Sequence, residues 1–259
     1  MISRTEAGRV PTLVCGLILA LAAATAKGDA PSPDDAGAMP SALQEWRKTI
    51  APLAEHPDDV DALKQALALA RHWEQNPATV KFAIGAYRDL SALAGRSVVP
   101  ELAAKAAGFA GIARRLNLPG HLLVIKGRQT DGAAFDSSNW RGKVVLVDFW
   151  ATWCPSCRAE LPNIQKNYAR FHVRGFEVIG VSLDAKLDKL CDFLRRQSIP
   201  WPVLFSKSPS GHGWDIPLAV RYGVTRIPCA ILIDQQGKVF SLNARGPELG
   251  RQLERLLGE

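Results

Sequence analysis

An apolar run from Val144 to Trp150, interrupted only by Asp148, ends in Trp153-Cys154-Pro155-Ser156-Cys157 and passes directly into a helical pattern. The order reads as strand, short junction, helix. It places two thiols one turn apart at a helix N-terminus, where free N–H groups and the helix dipole favour a negative charge. A thiolate is the attacking species in disulfide exchange, and the second cysteine stands close enough to resolve a mixed disulfide formed by the first. The five residues therefore read as a dithiol/disulfide redox centre. A structural role is weaker, because a disulfide across so small a loop restrains the unfolded chain little. A zinc site would need two further ligands, and neither a second Cys-x-x-Cys nor a paired-histidine motif exists, so no metal and no cofactor are expected.

The start of the chain reads as a targeting segment. Arg4 and Arg9 precede an apolar stretch, Pro11 to Ala24, followed by the small residues of Ala24-Thr25-Ala26. Residues 1–26 are thus expected to be a signal peptide, or an N-terminal membrane anchor if left uncleaved, although a span needs ~20 apolar residues. Cys15 belongs to this leader. Export to a periplasmic or other extracytoplasmic compartment follows, where disulfides form and persist. The net charge is +7, but the basic residues are scattered and form no nucleic-acid motif, so nucleic acid is not an expected partner.

Residues 27–40 are rich in Ala, Gly, Pro, Ser and Asp and read as a flexible linker. Residues 41–117 carry helical periodicity. Val60, Leu63, Leu67 and Ala70 share one face, Asp58 and Asp59 are candidate caps, Gly95 is a terminator, and Pro100 opens a helix through Leu116. This small all-α domain carries no catalytic motif, and its role is docking, dimerisation or spacing. From residue 118 the texture changes. A hairpin pairs His121–Lys126 with Ala133–Phe135 around Thr130-Asp131-Gly132; strands and helices then alternate to Pro247–Leu257, which implies a sheet with helices on its faces.

The segment Gly142 to Cys154 resembles the active-site strand of the thioredoxin superfamily, and Arg158-Ala159-Glu160-Leu161-Pro162 resembles its exported TlpA/ResA-like branch. The resemblance covers residues 118–259. It implies an α/β thioredoxin-like fold, a central mixed sheet flanked by helices, placed after the helical domain. It also implies a protein thiol-disulfide oxidoreductase in cell redox homeostasis that exchanges its dithiol with exported, disulfide-bearing partners, acts as a reductant, and draws on an unidentified electron donor.

Within that frame Cys154 is the exposed attacking thiol and Cys157 the buried resolving thiol, together the redox-active disulfide. Asp148, six residues before Cys154, is a carboxylate in an apolar strand whose proton affinity should rise; the resemblance gives it the proton relay of the resolving thiol. Glu160 shares a helix face with Cys157. Trp153 supplies apolar cover and docking surface. Pro228, preceded by Ile227, is implied to be a cis proline facing the two cysteines, with Ile227 and Pro155 lining the groove for the partner chain. Pro162 kinks the helix. Cys191 and Cys229 read as small buried residues, and His212 as a loop residue.

Two alternatives belong to other classes. A peroxiredoxin-type peroxide reductase, with antioxidant activity, would place Pro and Thr upstream as Pro-x-x-x-Thr-x-x-Cys; here Thr152 stands two residues before Cys154 and no proline is in register. A helical scaffold protein would use the redox domain only for regulation.

Overall fold

The computed structural model describes residues 33–258 apart from 209, 211 and 212, with side chains from residue 41 onward. The expected leader, Cys15 and His212 lie outside the described residues. The chain divides into two units, Met1–Lys48 and Thr49–Glu259. Helix α1, Pro33–Glu55, runs across the division, so its start falls within the span whose composition suggests a linker. Every later element belongs to the second unit.

Helices α2 (Val60–Glu74), α3 (Val80–Ala94), α4 (Pro100–Ala103) and α5 (Lys105–Leu116) come next. The Asp59 carboxylate opens α2 by accepting from the N–H groups of Asp61 and Ala62, both at 2.9 Å. Gly95 closes α3. The helix expected to run unbroken from Pro100 pauses at Ala104 and restarts as α5. Trp73 packs on Phe82 with ring centroids 5.7 Å apart, and Tyr87 stacks on Phe109 at 6.4 Å, which makes an aromatic centre for the bundle.

The remainder is built on a five-stranded sheet in the order β5-β4-β3-β6-β7. Strand β3 (Val144–Trp150) runs parallel to β4 (Phe176–Ser182), which runs parallel to β5 (Val203–Phe205). On its other side β3 pairs antiparallel with β6 (Cys229–Ile233), and β6 with β7 (Val239–Ser241). All seven residues of β3 and of β4 are buried, as strands covered on both faces must be. The cover comes from α6 (Pro155–Phe171), α7 (Leu187–Gln197), α8 (Pro217–Arg221) and α9 (Pro247–Leu257). The expected mixed sheet flanked by helices is present.

The first hairpin is shorter than its sequence suggests. Strands β1 (Lys126–Arg128) and β2 (Ala134–Asp136) form a separate pair. The residues before β1 attach instead to the β6–β7 turn, where Leu123 N–H donates to Gly237 O at 3.0 Å and Gly120 N–H to Val239 O at 2.8 Å.

Helix α5 meets the sheet-bearing part backbone to backbone. A Cβ added at Gly111 would lie 2.6 Å from the Cα of Gly223, and Gly223 itself holds φ +56°. Beside this contact Arg114 donates to the carbonyls of Arg221 (2.9 Å) and Val220 (3.3 Å), the last turn of α8.

Candidate active site

The junction between β3 and α6 carries the two cysteines. Cys154 is the N-cap of α6 and Pro155 its first residue, a position where a missing N–H costs nothing. The sulfurs of Cys154 and Cys157 are bonded to each other, with Cα atoms 5.3 Å apart. The Cys157 N–H donates to Cys154 Sγ at 3.1 Å, and Ser156 Oγ lies 3.4 Å from the same sulfur. The helix start thus directs a donor at Cys154, the polarity that would stabilise a thiolate there once the disulfide is reduced.

The expectation of an exposed Cys154 is corrected. Cys154 is 4 % exposed and Cys157 2 %, so both belong to the apolar core rather than one of them standing open. Cys154 Sγ accepts the Cys157 N–H of the first turn of its own helix. Exposure at this junction falls instead on Trp153 (50 %), Pro155 and Ser156.

The junction is fixed from the neighbouring strand. Asp184, two residues past β4, is buried and accepts from Thr152 N–H at 3.1 Å, from Thr152 Oγ1 at 2.6 Å and from Ser182 Oγ at 2.8 Å. The sequence offers Asp184 only as a carboxylate at a strand end, and nothing local to it points to Thr152.

Asp148 lies within β3, the strand that leads into the site. In the sheet it faces Gly180 on one side and Ala230 on the other, and it is buried. Burial raises its carboxyl to about 7, the negative charge of Glu160 adds to the rise, and the guanidinium of Arg245 opposes it. Glu160 is more than a surface carboxylate. Its Oε1 accepts from the backbone N–H of Gly246 at 2.7 Å and from Asn163 Nδ2 at 2.6 Å, tying α6 to the start of α9.

Because β6 runs antiparallel to β3, the residues entering β6 lie beside the end of β3. Cys229 pairs with Phe149, and Ile227-Pro228, whose peptide bond is cis, immediately precedes it at the end of β3 that leads to the cysteines. Arg245 Nη1 donates to Pro228 O at 3.0 Å. Arg245 was not legible in the sequence, since it acts across 17 residues with no local motif. Ile227 and Pro228 are half-buried, and Pro155 is exposed. Cys229 is half-buried and Cys191 likewise, each a free thiol; burial pushes the Cys229 thiol up.

Trp214 is a further residue that the motif does not reveal. It is 36 % exposed, and its ring lies 6.1 Å from that of Trp153, so two partly open indoles stand together next to the cysteines. A tryptophan between Gly213 and Asp215, in a stretch rich in Gly and Ser, was the available signal.

Set against known proteins, residues 121–241 match the model of the AhpC/TSA family. The thiol-disulfide oxidoreductase ResA of Bacillus thuringiensis subsp. konkukian is 28% identical over 127 residues, 49% of this chain and 69% of that protein. The ResA of Bacillus subtilis is 27% identical over 113 residues, 44% of this chain and 59% of that protein. Among solved structures, the thioredoxin domain of a thiol-disulfide oxidoreductase from Bacteroides vulgatus is 28% identical, with a TM-score of 0.47 over 54% of this chain and 97% of that one. The family match lies in the sheet-bearing part.

Proposed function

We propose that the AhpC/TSA-type, thioredoxin-like domain in residues 121–241 makes this protein a thiol-disulfide oxidoreductase acting on disulfide-bearing polypeptides. The observation that carries the reading is the Cys154–Cys157 disulfide at the start of α6. In the reduced protein the Cys154 thiolate attacks one sulfur of a partner disulfide. A mixed disulfide forms, and the partner's other sulfur leaves as a thiolate and takes a proton. The Cys157 thiolate then attacks Cys154 Sγ, frees the partner as a dithiol and closes the Cys154–Cys157 bond. Two electrons pass to the partner.

Asp148 is assigned the proton of Cys157. A carboxyl held near 7 can accept and return a proton at neutral pH, which matches that task. Burial sets that level, with Glu160 adding to the rise and Arg245 opposing it. The backbone of Ile227 offers extended-chain hydrogen bonds to the partner, and Trp153 with Pro155 forms the surface on which that chain lies. The physiological direction is reduction of exported proteins, refilled by a separate electron donor, with the N-terminal segment directing export or anchoring. Among the described residues no helix is long and apolar enough to cross a membrane.

The test is a trap. Reduced Cys157→Ser protein mixed with a disulfide-bearing substrate such as insulin should accumulate a covalent adduct on Cys154 that dithiothreitol releases. An adduct forming on Cys157 in a Cys154→Ser protein, and none in the converse variant, would reverse the assignment.

A further inference from the structure

The helical segment and the cis-proline loop share a cleft of about 520 Å³. Its walls come from α2 and α5 on one side, with Glu74 and Arg115, and from Arg226, Pro228, Cys229 and Arg245 on the other. It therefore opens directly onto the residues assigned to the partner chain. Three arginines face one glutamate. Glu74 is already committed: its Oε1 lies 3.2 Å from Arg115 Nη2 and 3.7 Å from Arg226 Nη2, and its Oε2 accepts from Tyr87 OH at 2.8 Å. Arg115 keeps a buried Nε–H with no hydrogen-bond partner among the described residues, an arrangement that leaves a donor to be satisfied. Arg226 is 80 % exposed and stands directly before Ile227-Pro228.

We infer that this cleft selects disulfide-bearing polypeptides that carry an acidic side chain close to the reacting cysteine, with Arg226 as the entry contact and Arg115 as the inner one. The inference rests on the oxidoreductase reading and adds a substrate class to it. It also gives the helical segment a task, since α2 and α5 supply one wall of the groove. The arginine excess suits a carboxylate, and guanidinium groups bind carboxylates through paired donors. A partner chain following the cis-proline edge would pass Arg226 first, so an aspartate or glutamate a few residues from its cysteine reaches the cleft without leaving the extended path.

The experiment uses the full chain, reduced, and two disulfide-linked peptides that differ only in Asp/Glu against Asn/Gln beside the cysteine. At low salt, kcat/KM for the acidic peptide should exceed that for the neutral one by about ten-fold, equivalent to ~1.4 kcal/mol. The ratio should shrink as ionic strength rises past the range where exposed charges are screened. Arg226→Gln should lower the ratio, and Arg226→Glu should bring it to unity or below, while exchange with dithiothreitol stays at the unsubstituted rate. Arg115 is half of a buried ion pair, so Arg115→Gln serves only if its unfolding midpoint is retained; exposed Arg226 carries the test otherwise. Equal rates for both peptides in the unsubstituted protein, or an Arg226→Glu protein that keeps the preference, would overturn the inference while leaving the redox reading intact. Failure to exchange with dithiothreitol and both peptides alike would remove the redox reading and the inference with it.

Discussion

Glu160 and Asp148 act on each other across the α6–β3 packing: the Glu160 carboxylate raises the proton affinity of buried Asp148 while its own Oε1 holds the Gly246 N–H at 2.7 Å. One side chain thus braces the start of α9 and biases the buried acid of β3.

The first consequence concerns stability. The Asp148 carboxyl lies at about 7 in the folded protein against 3.8 for an unperturbed one. An acid with a raised folded pKa binds its proton more tightly in the native state, so its contribution is fully present below about 4 and is lost as pH rises through about 7. Across that window the oxidised protein should lose up to about 4 kcal/mol from this group. Asp148→Asn should remove the slope, matching the parent near pH 4 and exceeding it above pH 7. Urea unfolding at a series of pH values measures this, and parallel curves for the two proteins would contradict it.

Kinetics should respond to the same pair. Glu160 from α6 raises the Asp148 level and Arg245, preceding α9, lowers it. Glu160→Gln should therefore shift the Asp148-linked inflection of the pH–rate profile to lower pH, and Arg245→Met should shift it to higher pH. Opposite displacements identify a charge effect, since simple loss of structure would slow both variants without moving the inflection in opposite senses. An inflection fixed in both would refute the coupling.

Asp184 should prove costly to remove. Asp184→Ala strips the acceptor from Thr152 N–H, Thr152 Oγ1 and Ser182 Oγ, and it leaves donors buried next to the cysteine junction. A loss of about 2–4 kcal/mol follows from stranded buried donors. Chemical denaturation reads the cost, and a slower rate of peptide disulfide exchange reads the loosening of Trp153-Cys154.

Two glycines of α5 should behave in opposite ways. A Cβ at Gly111 meets the backbone of Gly223 at 2.6 Å and the carbonyl of Val220 at 2.7 Å, whereas one at Gly108 meets nothing within 4 Å. Gly111→Ala should destabilise by about 1–3 kcal/mol, the usual range for overpacking. Gly108→Ala should stabilise by about 0.5–1 kcal/mol through helix propensity alone. Thermal unfolding of the two variants, with Tm moving down and up respectively, checks the contrast.

Periodic segments were the most legible. Val144–Trp150 and Pro247–Leu257 have in the structure the bounds their sequences suggest, because the Gly142-Lys143 and Gly246-Pro247 boundaries punctuate them locally. The His121–Lys126 arm has the pattern of a hairpin strand, yet the hydrogen bonds of this stretch go to Gly237 and Val239, far along the chain. The place of Cys154 at a helix start suggests exposure; its burial within the core cluster involves residues far along the chain, which a linear pattern does not convey. Arg245 and Arg115 were illegible for a related reason, and Trp214 stood out only as a tryptophan in a Gly- and Ser-rich stretch. Each gains its meaning from a partner on another element, at Pro228, Glu74 and Trp153 respectively.

The close approach of Gly111 to Gly223 bears on how this protein can be cut down. Sequence kinship with the known family begins near His121, and a fragment designed on that kinship would be severed along this seam. Trimmed there, the sheet half would present the raw facet that α5 now covers, around Val220 and Gly223, and would keep Arg226 without Glu74 and Arg115 opposite it. On the inferred role of the cleft, such a remnant would distinguish acidic from neutral partner chains less well than the intact chain, even with both sulfurs in place.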